Sequence, residues 1–373
     1  MIIRTSREES RENKSTYNIP ELPLELEVET KPVMRKCFEA GCALAELKGV
    51  AESMPNEAIL INTLSLQEAK DSSAVENIIT TNDELYQSDL FEQHFTSTAA
   101  KEVHMYAKAL RDGYQKVREN GFLTNNTIIQ IQSQLEGNEA GFRTQGGTSL
   151  KNDQTGEIIY TPPQTFEQIQ SHMANLERFI NDDSFSDINS LIKMTIIHHQ
   201  FESIHPFFDG NGRTGRIISI LYLVQEGALD APILYLSRYI NRNKPAYYRL
   251  LQAVRDDGHW EAWILFMLEA VRETSYQTLR LIQAIKELMQ QYKQMMRTEL
   301  PGIYSQDVLN LIFRHPYTKI THAMESLGVS RPTATKYLDE LVRIGLMQKI
   351  RIGRENYYVN VKLMHCLANV QDL

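Results

Sequence analysis

Cysteine is scarce in this chain. Three occur in 373 residues, Cys37, Cys42 and Cys366. That is too few for a disulfide framework, and their spacing matches no metal-ligand set. They read as small buried apolar side chains, and a reducing cytoplasm is the expected setting. Long apolar runs are missing too. Nothing approaches the ~20 residues that cross a bilayer, so no membrane partner is expected. Met1–Lys14 is polar and lacks an apolar stretch, so no secretory leader is expected. Positive charge is also short. A formal net charge of −8 argues against a chain-wide nucleic-acid surface. The shortage is uneven: from Pro301 onward nine Lys/Arg stand against six Asp/Glu, a net of +3 that leaves −11 elsewhere.

The apolar content of 42% supports a sizeable core, and the length allows two or three domains. An extended lead-in over 1–31, marked by Pro20, Pro23 and Pro32, precedes helical patterns. These run over Pro32–Lys48, Asn56–Lys70, His94–Val117, Ile128–Leu135 behind a Thr124 cap, Thr165–Ile180 and Phe185–Phe201. Helices are also expected over Ile217–Glu226, Ala246–Arg255 and Trp260–Met296, with an irregular link from Leu234 to Pro245. Gly141, Gly146, Gly147 and Gly156 interrupt the segment 138–163, where Phe142-Arg143 and Glu157–Tyr160 flank a polar tip. That is a hairpin signal, and a hairpin edge accepts a further strand. Pro301-Gly302 marks the clearest domain boundary. Beyond it, helices over Ser305–Phe313, Ile320–Leu327 and Ser330–Ile344 lead to strands at Leu346–Ile352 and Asn356–Val361 around Gly353-Arg354. This order resembles a winged helix-turn-helix.

The densest chemistry lies in His205–Arg216, His-Pro-Phe-Phe-Asp-Gly-Asn-Gly-Arg-Thr-Gly-Arg, between two apolar helical runs. Gly210 and Gly212 let backbone amides approach a ligand, and Asn211 tolerates unusual dihedrals. A helix expected to begin near Arg213 adds positive potential for an anion. Arg213 and Arg216 stand on its first turn, where guanidinium groups can hold phosphate oxygens. Asp209 is a hard oxygen ligand suited to nucleotide-carried Mg²⁺. His205 can take a proton from an incoming hydroxyl. No Gly-Lys-Ser/Thr follows, so this is not a Walker A loop.

These residues resemble the signature of the Fic family, His-x-Phe-x-Asp/Glu-Gly-Asn-Gly-Arg-x-x-Arg. His205, Phe207, Asp209, Gly210, Asn211, Gly212, Arg213 and Arg216 match it without departure. The resemblance covers Pro32 to about Met296. It implies an all-α Fic core with a small β-hairpin flap, alongside the C-terminal winged helix-turn-helix. It divides the chain into an N-terminal helical extension (1–90), a Fic catalytic domain (91–300) and a winged helix domain (301–373). It implies transfer of AMP from ATP to a Ser, Thr or Tyr hydroxyl of a target protein, with possible self-modification. By position, His205 is then the general base and Asp209 holds Mg²⁺. Gly210, Asn211 and Gly212 form the anion hole, continued by Thr214 and Gly215 in the ATP site, and Arg213 and Arg216 bind the outer phosphates. Phe207 anchors the loop. The flap at 142–163 holds the target by strand addition. Asn243 is the candidate nucleoside contact, in competition with Asn241.

Ser72, Glu76 and Asn77 fit the family's inhibitory motif, Ser/Thr-x-x-x-Glu-Gly/Asn. The resemblance implies that Glu76 pairs with Arg216 and so denies ATP a productive pose. The basic tail leaves further options open. Arg331, Thr333, Thr335 and Lys336 stand at the start of a recognition-type helix, with Arg351 and Arg354 in the wing. DNA binding through 301–373, and a homodimer on a two-half-site operator, are the corresponding partners. A DNA-binding regulator with a Fic sensor domain, or an enzyme that removes AMP with Glu76 positioning water, remain alternatives.

Overall fold

The computed structural model describes residues 17–82, 84–86, 95, 97–151, 155–352 and 355–369. The first sixteen residues of the expected lead-in, His94, the tip Asn152-Asp153-Gln154 and the wing turn Gly353-Arg354 lie outside the described residues. Two compact units are resolved, and neither is one stretch of chain.

The first unit contains residues 1–41, 108–228 and 239–272. Its core helices are the latter part of α3 (Thr98–Asn120), α4 (Asn125–Glu136), α5 (Phe166–Asn181), α6 (Ser190–Ile204) and α7 (Asn211–Gln225). Between α4 and α5 a short antiparallel pair, β1 (Leu150–Lys151) and β2 (Ile158–Tyr160), forms the expected hairpin. Thr124 accepts from the Thr127 amide at the start of α4, and Thr165 with Gln168 builds a capping box on α5. Every residue of α6 after Ser190 is buried, so its apolar run is a core helix rather than an amphipathic one. It starts five residues later than the pattern suggests, because Asn189 caps the Leu191 amide. α7 begins at Asn211, two residues before the expected start. The link after Leu234 is not irregular throughout, since α8 (Leu236–Arg242) forms before α9 (Lys244–Asp257). Pro245 in the first turn of α9 needs no amide partner there, and this extends the helix toward Asn243.

The second unit contains residues 42–107, 229–238 and 273–373. It includes the C-terminal part of α1 (Lys31–Glu52), all of α2 (Glu57–Val75), the C-terminal part of the 40-residue α10 (Trp260–Glu299) and the tail. α2 is buried on most of its faces, so its polar side chains need partners. Gln67 donates to the Tyr86 hydroxyl at 2.5 Å, and buried Glu68 accepts from the Tyr106 hydroxyl at 3.2 Å and the Ser237 amide at 3.1 Å. Arg238 pairs with Asp71 at 3.1 Å.

The tail runs α11 (Gln306–Arg314), β3 (Tyr317–Lys319), α12 (Ile320–Leu327), α13 (Arg331–Arg343), β4 (Gln348–Ile352), β5 (Glu355–Val359) and α14 (Val361–Ala368). The sheet order β3-β5-β4 is antiparallel throughout, which is a winged helix-turn-helix. The pattern reading missed β3 and α14. Three residues are too short for a period-2 signal, and β3 exists because Tyr317 pairs with Val359 across the sheet. α11 packs on α2 within this unit.

Candidate active site

The loop His205–Arg216 begins where α6 ends. His205 closes α6 in the left-handed region (φ 48°), with its amide bonded to the Phe201 carbonyl at 2.9 Å. A non-glycine residue there carries strain that the surroundings must hold. Phe207 is fully buried and packs its ring 5.3 Å from Phe142 and 6.3 Å from Phe201. Asn211 clamps the turn: its Oδ1 accepts from the Phe207 amide at 2.9 Å and its Nδ2 donates to the Phe207 carbonyl at 2.8 Å. The Asn211 side chain therefore builds the loop, and only its backbone amide is in position to serve a ligand.

Gly210 caps α7 with φ 77°, and an added Cβ there would collide with the Glu136 carboxylate and with Leu135 at 2.9 Å. Both the dihedral and the space demand glycine. The first bond inside α7 runs from the Thr214 amide to the Gly210 carbonyl. The amides of Asn211, Gly212 and Arg213 precede it, and a first helical turn has no intrahelical partner for them. With the helix dipole, they form an anion cradle. The Thr214 hydroxyl is buried without a hydrogen-bond partner among the described residues. At Gly215 a Cβ would meet Glu202 Oε1 at 3.0 Å and Phe201 at 3.1 Å, so this glycine lets α6 and α7 pack closely.

Two arginines follow. Arg213 is bound through Nη2 to Glu136 at 2.9 Å. Glu136 was not singled out in the sequence, although as the last residue of α4 it precedes the helix-ending Gly137. Arg216 is almost wholly buried. Its charge is the second cause, after burial itself, that pushes the imidazole of neighbouring His198 down to about 3, against the Gly215 carbonyl bond that favours protonation. Neutral His198 bonds Ser219 Oγ at 3.0 Å, the Gly215 carbonyl at 3.3 Å and the Tyr247 hydroxyl at 2.8 Å, and so braces α7. Asp209 is exposed, with Oδ1 accepting from the Gly210 amide at 2.7 Å. Among the described residues no group of three His, Cys, Asp or Glu forms a protein-only metal cage. A single hard carboxylate beside an anion cradle fits a cation that arrives with phosphate oxygens and water as its other ligands.

Asn243 stands just before α9 and donates to the Tyr239 carbonyl at 2.9 Å. Ser72, Glu76 and Asn77 belong to the second unit, while the signature loop belongs to the first. Ser72 is buried on α2, Glu76 is its exposed C-cap, and Asn77 takes the left-handed conformation (φ 63°). The Ile78 amide reaches the Ser73 carbonyl at 3.0 Å and the Asn77 amide the Ala74 carbonyl at 3.1 Å, a Schellman closure. That is why the residue after the glutamate is Gly or Asn: both adopt this conformation at low cost.

The helical core, the β-hairpin and the loop between α6 and α7 define a Fic-type fold. Residues 34–115 match the Fic/DOC family N-terminal domain, 122–223 the Fic/DOC family domain, and 288–363 the C-terminal domain of SoFic-like protein adenylyltransferases. The chain belongs to the Fic/DOC family. It is 28% identical over 127 residues to the protein adenylyltransferase Fic of Drosophila yakuba, covering 34% of this chain and 24% of that protein. It is 31% identical over 114 residues to protein adenylyltransferase fic-1 of Caenorhabditis elegans, covering 30% and 21%. The chain thus spans about a quarter of these curated relatives or less. A Fic family protein from Desulfovibrio desulfuricans superposes with a TM-score of 0.58 over 90% of this chain and 97% of that one, at 19% identity, which shows the shared fold.

Proposed function

We propose that the protein is a self-inhibited adenylyltransferase. His205 takes the proton of a target Ser, Thr or Tyr hydroxyl, whose oxygen attacks the α-phosphorus of ATP. The bond from that phosphorus to the bridging oxygen breaks, and pyrophosphate leaves. The carrying observation is the joint of α6 and α7: a strained His205 closes one helix, and the open first-turn amides of the next begin six residues later. Base and anion cradle therefore share one rigid turn, as group transfer requires. Asn211 and Gly212 cradle phosphate through backbone amides, Gly210, whose own amide is held by Asp209 Oδ1, starts the helix that presents them, Thr214 and Gly215 continue that wall, and Arg213 and Arg216 receive the outer phosphates. Asp209 would hold Mg²⁺, which supplies charge neutralisation on the phosphates when bound. The flap offers its edge to an extended segment of the target. Glu76 competes with nucleotide for Arg216, so inhibition belongs to the end of α2.

Intact-mass measurement with ATP and Mg²⁺ tests the reading. The Glu76→Gly protein gains the mass of one or more AMP groups, and the wild type gains at least about tenfold less, the worth of one charge-assisted hydrogen bond. His205→Ala in the same background loses transfer by ~10²–10⁴-fold. Equal labelling of wild type and Glu76→Gly removes the inhibition, and undiminished labelling by His205→Ala removes the base.

A second partner is favoured by the tail, where Arg331 and Lys336 are exposed on α13. DNA is the proposed occupant. A gel-shift titration in which affinity falls with salt supports it, and no shift at low salt overturns it.

A further inference from the structure

The flap is anchored on the catalytic turn by one buried cation. Arg143, just before the flap strands, is wholly buried. Its Nε donates to the His205 carbonyl at 2.9 Å, its Nη2 donates to the Pro163 carbonyl at the far root of the flap, and its backbone amide donates to the Pro206 carbonyl at 2.9 Å. Among the described residues it has no carboxylate partner. Burial lowers its pKa, but a guanidinium remains charged in proteins. What offsets the buried charge is the negative end of α6. The last carbonyls of a helix lack intrahelical donors and carry its partial negative charge.

The rest of that helix end is held in the same way. The Tyr160 hydroxyl, from β2 of the flap, donates to the Ser203 carbonyl at 2.7 Å. Arg255 donates to the Glu202 carbonyl at 3.2 Å and stacks its guanidinium 4.0 Å from the Tyr160 ring. Phe142, beside Arg143, packs on Phe207 of the loop. Both roots of the flap thus grip the residues that set where His205 lies. A strained φ at His205 makes its ring position depend on that grip.

We propose that Arg143 is a positioning residue that couples the flap to the base: a target segment seated on the flap strands fixes the His205 imidazole through Arg143 and Pro163. The proposal rests on the adenylyl-transfer reading of this loop. It assigns Arg143 no contact with nucleotide.

The test compares Arg143→Gln and Arg143→Lys in the Glu76→Gly background. Initial rates of AMP transfer are measured against ATP concentration, and ATP affinity is measured separately by titration calorimetry. The Gln variant loses ~10²-fold in kcat, the cost of misplacing a reacting group by about 1 Å, with the ATP affinity unchanged. The Lys variant, which keeps a cation and one donor, recovers ~10-fold of that loss. An unchanged kcat overturns the proposal. So does a loss confined to ATP affinity, or equal losses in both variants that track a lowered melting midpoint. A readout independent of activity is the NMR signal of the His205 imidazole in full-length protein. It moves in Arg143→Gln and returns toward the parent in Arg143→Lys, and an unmoved signal overturns the proposal. If the Glu76→Gly parent transfers no AMP, the adenylyl-transfer reading falls, while the imidazole signal still decides the role of Arg143.

Discussion

Two helices of this protein end on a non-glycine residue in the left-handed region, and among the described residues they are the only ones to do so: α6 at His205 and α2 at Asn77. Both residues belong to motifs singled out in the sequence, but the ends are built differently. The end of α6 is buried, and its carbonyls are taken by side chains from distant parts of its own unit, Arg143, Tyr160 and Arg255. The end of α2 is exposed at Glu76 and Asn77 and is closed by backbone bonds spanning five residues or fewer. A turn held from several directions keeps one geometry. A turn whose backbone closure is local and at the surface depends less on distant parts of the fold. On the proposed function, the first suits a catalytic base and the second an inhibitory residue that moves aside.

That contrast can be pressed by substitution. The largest effect is expected at the rigid end. Gly210→Ala places a Cβ against Glu136 and forces alanine into φ 77°, so it costs ~2–4 kcal/mol of stability and abolishes ATP binding. Chemical denaturation and calorimetry check both, and a near-neutral result would show that the loop is looser than its packing implies.

Acid provides the next test of the same unit. Buried His198 has its folded-state pKa depressed from the usual 6.5 to about 3, so the unfolded chain takes up the proton first. Its contribution to stability is therefore complete above about pH 6.5 and falls as pH drops, by ~1.4 kcal/mol per pH unit, levelling only near the folded-state value. Buried His199 is shifted the same way, chiefly by burial. Melting midpoints from pH 7.5 to 5 should decline, and the slope should flatten in His198→Asn. A flat profile in the wild type would contradict the burial of these rings.

The smallest effect is expected at the exposed end of α2. Asn77→Val puts a β-branched residue in the left-handed region and costs ~1–2 kcal/mol, whereas Asn77→Gly is near neutral. The Val variant should also label itself with AMP faster than the wild type, because the cap that aims Glu76 is disturbed. If both variants match the wild type in stability and labelling, the closure of α2 does not aim Glu76.

Much of this was readable in the chain. The twelve-residue signature, the hairpin and most helices of the tail follow from local composition, because glycines, caps and apolar spacing act over a few residues. The Ser72, Glu76 and Asn77 pattern was visible as a motif, but the left-handed φ of Asn77 was not, since it appears only with the backbone. Nothing local marked Glu136, Arg255 or His198, and the hairpin signal that contains Arg143 and Tyr160 did not show what they hold. Each is an ordinary residue in its own segment and gains its role from a partner between 17 and 77 positions away.

The sequence by itself determined the family, the residue types of the loop and the order of elements, since those depend on side-chain identity and short-range periodicity. Only the tertiary structure decided that Glu136 holds Arg213, and that a buried arginine joins the flap to His205. Those are pairings of buried charge and unsatisfied helix ends. They must be met wherever the chain folds back, and no window of sequence contains both partners.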